Sequence, residues 1–71
     1  MYTGCYIQNG YIWGPGAEGR YWIDNDWIWG PKNSGRYWIQ GNYIWGPKDG
    51  GKFWISEGHI YGPAKSPPFV S

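Results

Sequence analysis

Residues 34–47 read Ser34-Gly35-Arg36-Tyr37-Trp38-Ile39-Gln40-Gly41-Asn42-Tyr43-Ile44-Trp45-Gly46-Pro47. Two short runs of aromatic and β-branched residues flank Gly41-Asn42, a pair that accepts the positive φ angles of a two-residue turn. Neither run is long enough for a helix, so the stretch predicts a tight β-hairpin. Gly46-Pro47 ends it, because a proline has no N–H to give to a ladder.

The same unit recurs in both directions at a step of sixteen residues, through Trp13-Gly14-Pro15, Trp29-Gly30-Pro31, Trp45-Gly46-Pro47 and Tyr61-Gly62-Pro63. The partner strand keeps the step as Cys5-Tyr6-Ile7, Tyr21-Trp22-Ile23, Tyr37-Trp38-Ile39, Phe53-Trp54-Ile55 and finally Phe69-Val70-Ser71. Tight turns fall at Asn9-Gly10, Asn25-Asp26, Gly41-Asn42 and Glu57-Gly58, and longer Gly-Pro loops near 14–19, 30–35, 46–51 and 62–68. Such a period marks a repeat architecture. The expected fold is therefore all-β and one domain over 1–71. It comprises four tandem β-hairpins plus a ninth, closing strand at Phe69-Val70, in an antiparallel meander.

Turn placement fixes register. Gln8 faces Tyr11, Ile7 faces Ile12 and Tyr6 faces Trp13, and alternation sorts side chains onto two faces. One face holds Tyr21, Tyr37, Phe53 and Phe69 with Ile7, Ile12, Ile23, Ile28, Ile39, Ile44, Ile55 and Ile60, and Cys5 stands in the aromatic position of the first repeat. The other holds Trp13, Trp22, Trp27, Trp29, Trp38, Trp45, Trp54, Tyr11 and Tyr43 among Arg20, Arg36, Lys52, Gln8, Asp24, Gln40 and Ser56. No helix is available to cover the apolar face, so the sheet must curl, stack or associate. Closure into a small barrel or propeller-like ring by the ninth strand is favoured over an open hairpin solenoid, with the six prolines at the rims.

A chain of 71 residues with one cysteine has neither a disulfide nor a zinc site to stiffen it. Seven Trp, seven Tyr and two Phe are the substitute, since each aromatic side chain buries roughly 150–250 Å². The net charge of +1 gives no long-range pull on nucleic acid, which ranks last among partners. No apolar stretch approaches a membrane span and no export signal is read at the start, so a soluble protein is expected.

All six basic residues, Arg20, Lys32, Arg36, Lys48, Lys52 and Lys65, lie in or beside the Gly-Pro loops and so gather at one end. Arg20, Arg36 and Lys52 precede Trp22, Trp38 and Trp54 by two residues on the same face, a spacing that permits cation–π contact. With Trp13, Trp29 and Trp45 these are the expected ligand-binding residues, suited to a sugar or other small ligand stacked on indole. Trp and Arg interleaved across strands also build ordinary packed ladders. His59 stands where Tyr11, Trp27 and Tyr43 stand in the other units and reads as a variant aromatic. No nucleophile, base and orienting acid recur together, so no enzyme, cofactor or metal is expected.

Ser34-Gly35-Arg36-Tyr37-Trp38-Ile39 and the turn after it resemble the aromatic hairpin repeats of bacterial choline- and glucan-binding wall modules. Those repeats are longer and lack the regular Gly-Pro. Three functions follow in order: a multivalent, lectin-like binder of glycans or small ligands; an assembly module that buries its Trp face in a homo-oligomer or partner; and a nucleotide or single-strand binder that stacks bases on Trp beside the basic rim.

Overall fold

A computed structural model describes residues 1–70. Eight antiparallel strands form a closed barrel in sequence order: β1 Tyr2–Gln8, β2 Tyr11–Trp13, β3 Tyr21–Asp24, β4 Trp27–Trp29, β5 Tyr37–Gln40, β6 Tyr43–Trp45, β7 Phe53–Ser56 and β8 His59–Tyr61. Both residues of every tight turn have positive φ, from 51° at Glu57 to 80° at Gly10. These are the twist-matched turns that hairpins prefer. The expected registers are present, with Tyr6 opposite Trp13, Trp22 opposite Trp29, Trp38 opposite Trp45 and Trp54 opposite Tyr61.

Neighbouring hairpins are joined by a repeated bond. The amides of Ile23, Ile39 and Ile55 donate to the carbonyls of Gly10, Asp26 and Asn42, and Ile7 donates likewise to Gly58 at 2.7 Å. That last bond closes the circle between the first and fourth units. The solenoid alternative is thereby excluded.

Closure is not made by a ninth strand. Pro68–Val70 forms a turn of 3-10 helix, and β8 pairs directly with β1. Ser71, the end of the expected strand, lies outside the described residues. Four hairpins already complete the ring, so no edge remains for residues 69–70 to join. Phe69 instead fills the loop-end mouth: it is fully buried, with its ring centroid 5.5 Å from Tyr21 and 6.4 Å from Tyr37. Asn33 Nδ2 donates to the Phe69 carbonyl at 2.9 Å, and Val70 packs over Gly16. Pro67 and Pro68 are buried too, so the prolines do not all lie on the rim.

The interior is stacked in layers. Tyr21, Tyr37 and Phe53 sit at the loop end, paired with Ile12, Ile28 and Ile44. The central Ile12, Ile28, Ile44 and Ile60 are 0–1 % exposed. Ile7, Ile23, Ile39 and Ile55 are only half-buried. Each central isoleucine has a side chain on both flanking strands, whereas each outer one has an isoleucine on one side and a tight turn on the other.

The rings of Tyr21, Tyr37 and Phe53 lie directly over Gly30, Gly46 and Gly62, where a β-carbon would come within 2.1–2.2 Å of a ring atom. The first unit has Cys5 in place of the ring, and there the Gly4 carbonyl presses against Gly14 instead. The seam also substitutes a hydrogen bond. Gly19, Gly35 and Gly51 donate to the carbonyls of Ile12, Ile28 and Ile44, but position 67 is proline, and Ile60 accepts from the Thr3 hydroxyl at 2.7 Å. Thr3 and Ala17 are buried residues that strand alternation alone did not reveal. Among the described residues no helix is long and apolar enough to cross a membrane.

If Phe69 is the plug that completes the mouth, Phe69→Ala should cost about 3–5 kcal/mol, the usual penalty for emptying an aromatic core site. Urea unfolding of the two chains, followed by tryptophan emission, measures this; a loss below about 1 kcal/mol contradicts the assignment.

Candidate ligand-binding surface

Because the core face is closed inside, the other face of every strand points outward. Cross-strand register arranges its aromatics in four three-strand strips: Tyr11, Trp22 and Trp29; Trp27, Trp38 and Trp45; Tyr43, Trp54 and Tyr61; and His59, Tyr6 and Trp13. The centre of each strip comes from the first strand of a hairpin and its flanks from the second strands of two hairpins. Ring contacts run along the strips, with Trp27 and Trp38 tilted at 5.3 Å, Trp54 and Tyr61 stacked at 5.9 Å, and Tyr6 and His59 at 6.3 Å.

The six tryptophans expected at the site fall into two groups. Trp13, Trp29 and Trp45 donate their indole N–H to the carbonyls of Gln8, Asp24 and Gln40 at 3.2–3.4 Å. Their six-membered rings lie on Gly19, Gly35 and Gly51, where a β-carbon would approach within 2.5–2.8 Å. Each is thus clamped across its own hairpin and its own loop. The indole N–H groups of Trp22, Trp38 and Trp54 make no hydrogen bond within the described residues. Trp22 and Trp54 are 42 % and 38 % exposed, and Trp38 is half-buried against Trp27. These three indoles offer a flat face and a free donor.

Arg20, Arg36 and Lys52 stand at the loop end of those three central strands and are exposed. Their electrostatics differ. Arg20 Nη2 lies 3.3 Å from Glu18 Oε1, and Lys52 Nζ lies 3.9 Å from Asp49 Oδ1. The contacts of Arg20 and Lys52 are therefore carboxylates rather than indoles. Arg36 forms no ion pair among the described residues. In the fourth strip, formed by His59, Tyr6 and Trp13, Gly4 takes the place of the strand-end cation.

Lys52 and Trp54 also line an open depression of about 530 Å³ completed by Met1, Gly62 and Pro63. Its polar and aromatic groups have counterparts around the barrel, in Arg20 with Trp22 and Arg36 with Trp38. His59 donates its Nδ1–H to the Glu57 carbonyl at 3.0 Å and packs edge-on to Tyr2.

Within the barrel there is little chemistry. Among the described residues no buried side-chain nitrogen or oxygen lacks a partner, and no three metal-ligating side chains come together. Cys5 is fully buried and donates to the Pro15 carbonyl at 3.4 Å. Burial pushes its thiol above the ordinary value, and the Thr3 hydroxyl pulls it part of the way back. Burial likewise raises the Tyr37 phenol, against a backbone hydrogen bond from Lys48 that lowers it.

No family model matches this chain, and neither a curated protein nor a solved structure matches it.

The division of the tryptophans is measurable. Trp45→Phe removes a clamp and its hydrogen bond and should cost about 1–2 kcal/mol, whereas Trp22→Phe, on an exposed surface, should stay within about 0.5 kcal/mol. Equal costs in denaturant unfolding would erase the distinction.

The raised Cys5 and Tyr37 values carry a signed pH dependence. About one pH unit below 8.5, the ordinary value of a free cysteine, both groups are largely protonated in the folded and unfolded chain alike. As pH rises further the unfolded chain ionises first, so stability falls until the folded groups follow. Thermal melts should therefore be flat from pH 6 to 8 and decline above pH 9, and Cys5 should react with a thiol reagent only in denaturant. Rapid labelling of the native protein contradicts its burial.

Proposed function

We propose that the protein is a non-enzymatic, multivalent binding module, lectin-like, whose ligands are glycans or other small molecules held on repeated Trp and Arg or Lys patches. One observation carries this reading. Trp22, Trp38 and Trp54 each present an indole face and an unused N–H in the middle of an outer aromatic strip, with Arg20, Arg36 or Lys52 at its loop end. A pyranose ring stacks its C–H face on such a plane and offers hydroxyls to the adjacent donors. Their neighbours Trp13, Trp29 and Trp45 keep the platform in place and have no free donor to contribute.

The closed core also supports a ligand surface over an obligate assembly. Its central isoleucines and inner rings are covered within a single chain, so association is not needed to hide them. Three patches facing different directions around a barrel of 23 × 22 × 21 Å cannot share one short ligand. Each is then an independent weak site, and strength comes from repetition on a multivalent target.

Tryptophan emission with iodide quenching, run beside size-exclusion light scattering and a glycan titration, tests the reading. Red, quenchable emission from a monomer that a glycan protects is the expected result. In that case Trp38→Ala should remove about one site in three without weakening those that remain. Blue, unquenchable emission from an oligomer would reassign the Trp face to an assembly interface.

A further inference from the structure

The three cation-bearing strips share one layout and differ in charge, and the difference lies in the loops. Positions that hold Glu18 in the first loop and Asp49 in the third are occupied by Ser34 and Asn33 in the second. Neither substitute is idle. Ser34 Oγ accepts from the Gly30 amide at 3.3 Å, and Asn33 holds the Phe69 carbonyl. The plug that seals the barrel mouth thus takes up the very position from which a carboxylate would neutralise the neighbouring cation. Arg20 and Lys52 face carboxylates; Arg36 pairs with none among the described residues, and Lys32 in the same loop adds a second positive charge.

The aromatic strip beside Arg36 is also the one built of three tryptophans. Trp27 lies 5.3 Å from Trp38 at an interplanar angle of 48°, so the two indoles form a shallow trough, and neither N–H is used within the described residues. Packing against Trp27 leaves Trp38 less exposed than Trp22 or Trp54, which lowers the ordering cost of binding there. Asp24 stands opposite Trp27 in the register, at the tight-turn end. The site is therefore polar along its length, cationic at the loop end and anionic at the other.

We propose that the Trp27, Trp38 and Trp45 strip with Arg36 is an acidic-saccharide site, taking a uronate whose carboxylate pairs with the Arg36 guanidinium while its pyranose ring lies in the indole trough. This rests on the saccharide-binding reading above and adds to it a distinction among the strips. A guanidinium presents a planar fork of donors that a carboxylate matches with two parallel bonds. The carboxylate of Asp24 repels the ligand's own and accepts its hydroxyls, which sets the direction in which the sugar lies. The first and third strips, with their cations already paired, are left to neutral sugars.

Indole N–H resonances of the full ¹⁵N-labelled chain separate the strips, with three probes: a galacturonic acid trimer, its methyl ester and adenosine monophosphate. The ester should shift Trp22, Trp38 and Trp54 over similar concentrations. The acid should shift Trp38 at about fivefold lower concentration than the other two, the scale of one exposed ion pair. Arg36→Gln should abolish that preference, and Glu18→Gln, by freeing Arg20, should create one at Trp22; thermal melts of both variants check that the barrel is intact. Equal titration of Trp38 by acid and ester overturns the uronate assignment and leaves saccharide binding standing. Tighter binding of the nucleotide than of the acid also overturns it, in favour of base stacking. Failure of every sugar to move any indole removes the saccharide reading itself.

Discussion

The rings of Tyr21, Tyr37 and Phe53 rest on bare backbone at Gly30, Gly46 and Gly62, with no room for even a methyl group between them. This contact sets how sharply each hairpin curls toward the next. An aromatic ring can lie across the neighbouring strand only if that strand offers a glycine, and the loop can turn away at once because proline follows. Repeated around the chain, the same contact gives a barrel narrow enough to be filled by side chains, with a Cα radius of gyration of 10.2 Å. The filling is layered, as small closed sheets require: rings at the loop mouth, fully buried isoleucines at the centre and half-buried isoleucines beside the tight turns.

A ring of identical units has no beginning, but a chain does. Both ends of this chain converge on the same repeat positions, Thr3, Gly4 and Cys5 against Pro67, Pro68 and Phe69. The conflict is resolved by size and by hydrogen-bonding capacity. The N-terminal residues are small and bulge, with a positive φ at Gly4. The C-terminal segment leaves the sheet, since proline at 67 has no amide for the ladder, and delivers one ring into the mouth. The Thr3 hydroxyl takes over the hydrogen bond that the proline cannot make. The departures from the repeat therefore cluster at one seam and compensate one another.

The aromatic residues have three physical roles. Those pointing inward supply the burial that a 71-residue chain without a cross-link needs. Trp13, Trp29 and Trp45 lie on the outside yet belong to the framework, pinned between a carbonyl and a glycine. Among the described residues, only Trp22, Trp38 and Trp54 combine an at least partly accessible face, an indole N–H without a hydrogen bond and a cation two positions earlier. A surface this rich in indole is partly the outer wall of its own scaffold, and the ligand-binding reading attaches to a minority of it.

Much of this was legible in the sequence. The sixteen-residue step, the turn pairs and the alternation of side chains determined the strands, their register and the residues on each face, because those properties depend on neighbours a few positions apart. The same local logic suggested that Phe69-Val70 repeats a strand, and there it failed: whether a ninth strand has a place depends on how many hairpins close a ring, a global condition of curvature. The split within the tryptophans was equally out of reach. Trp29 and Trp22 are alike in residue type and face, and what separates them is the geometry of the Gly-Pro loop, which folds a glycine back onto one indole and leaves the other open. Nor could spacing foresee that Asn33 would be drawn to the carbonyl of Phe69, 36 positions away. Periodicity determined the pattern of this protein; only the closed tertiary structure decided which members of the pattern are committed to holding it together, because that depends on contacts between residues that share no neighbourhood in the chain.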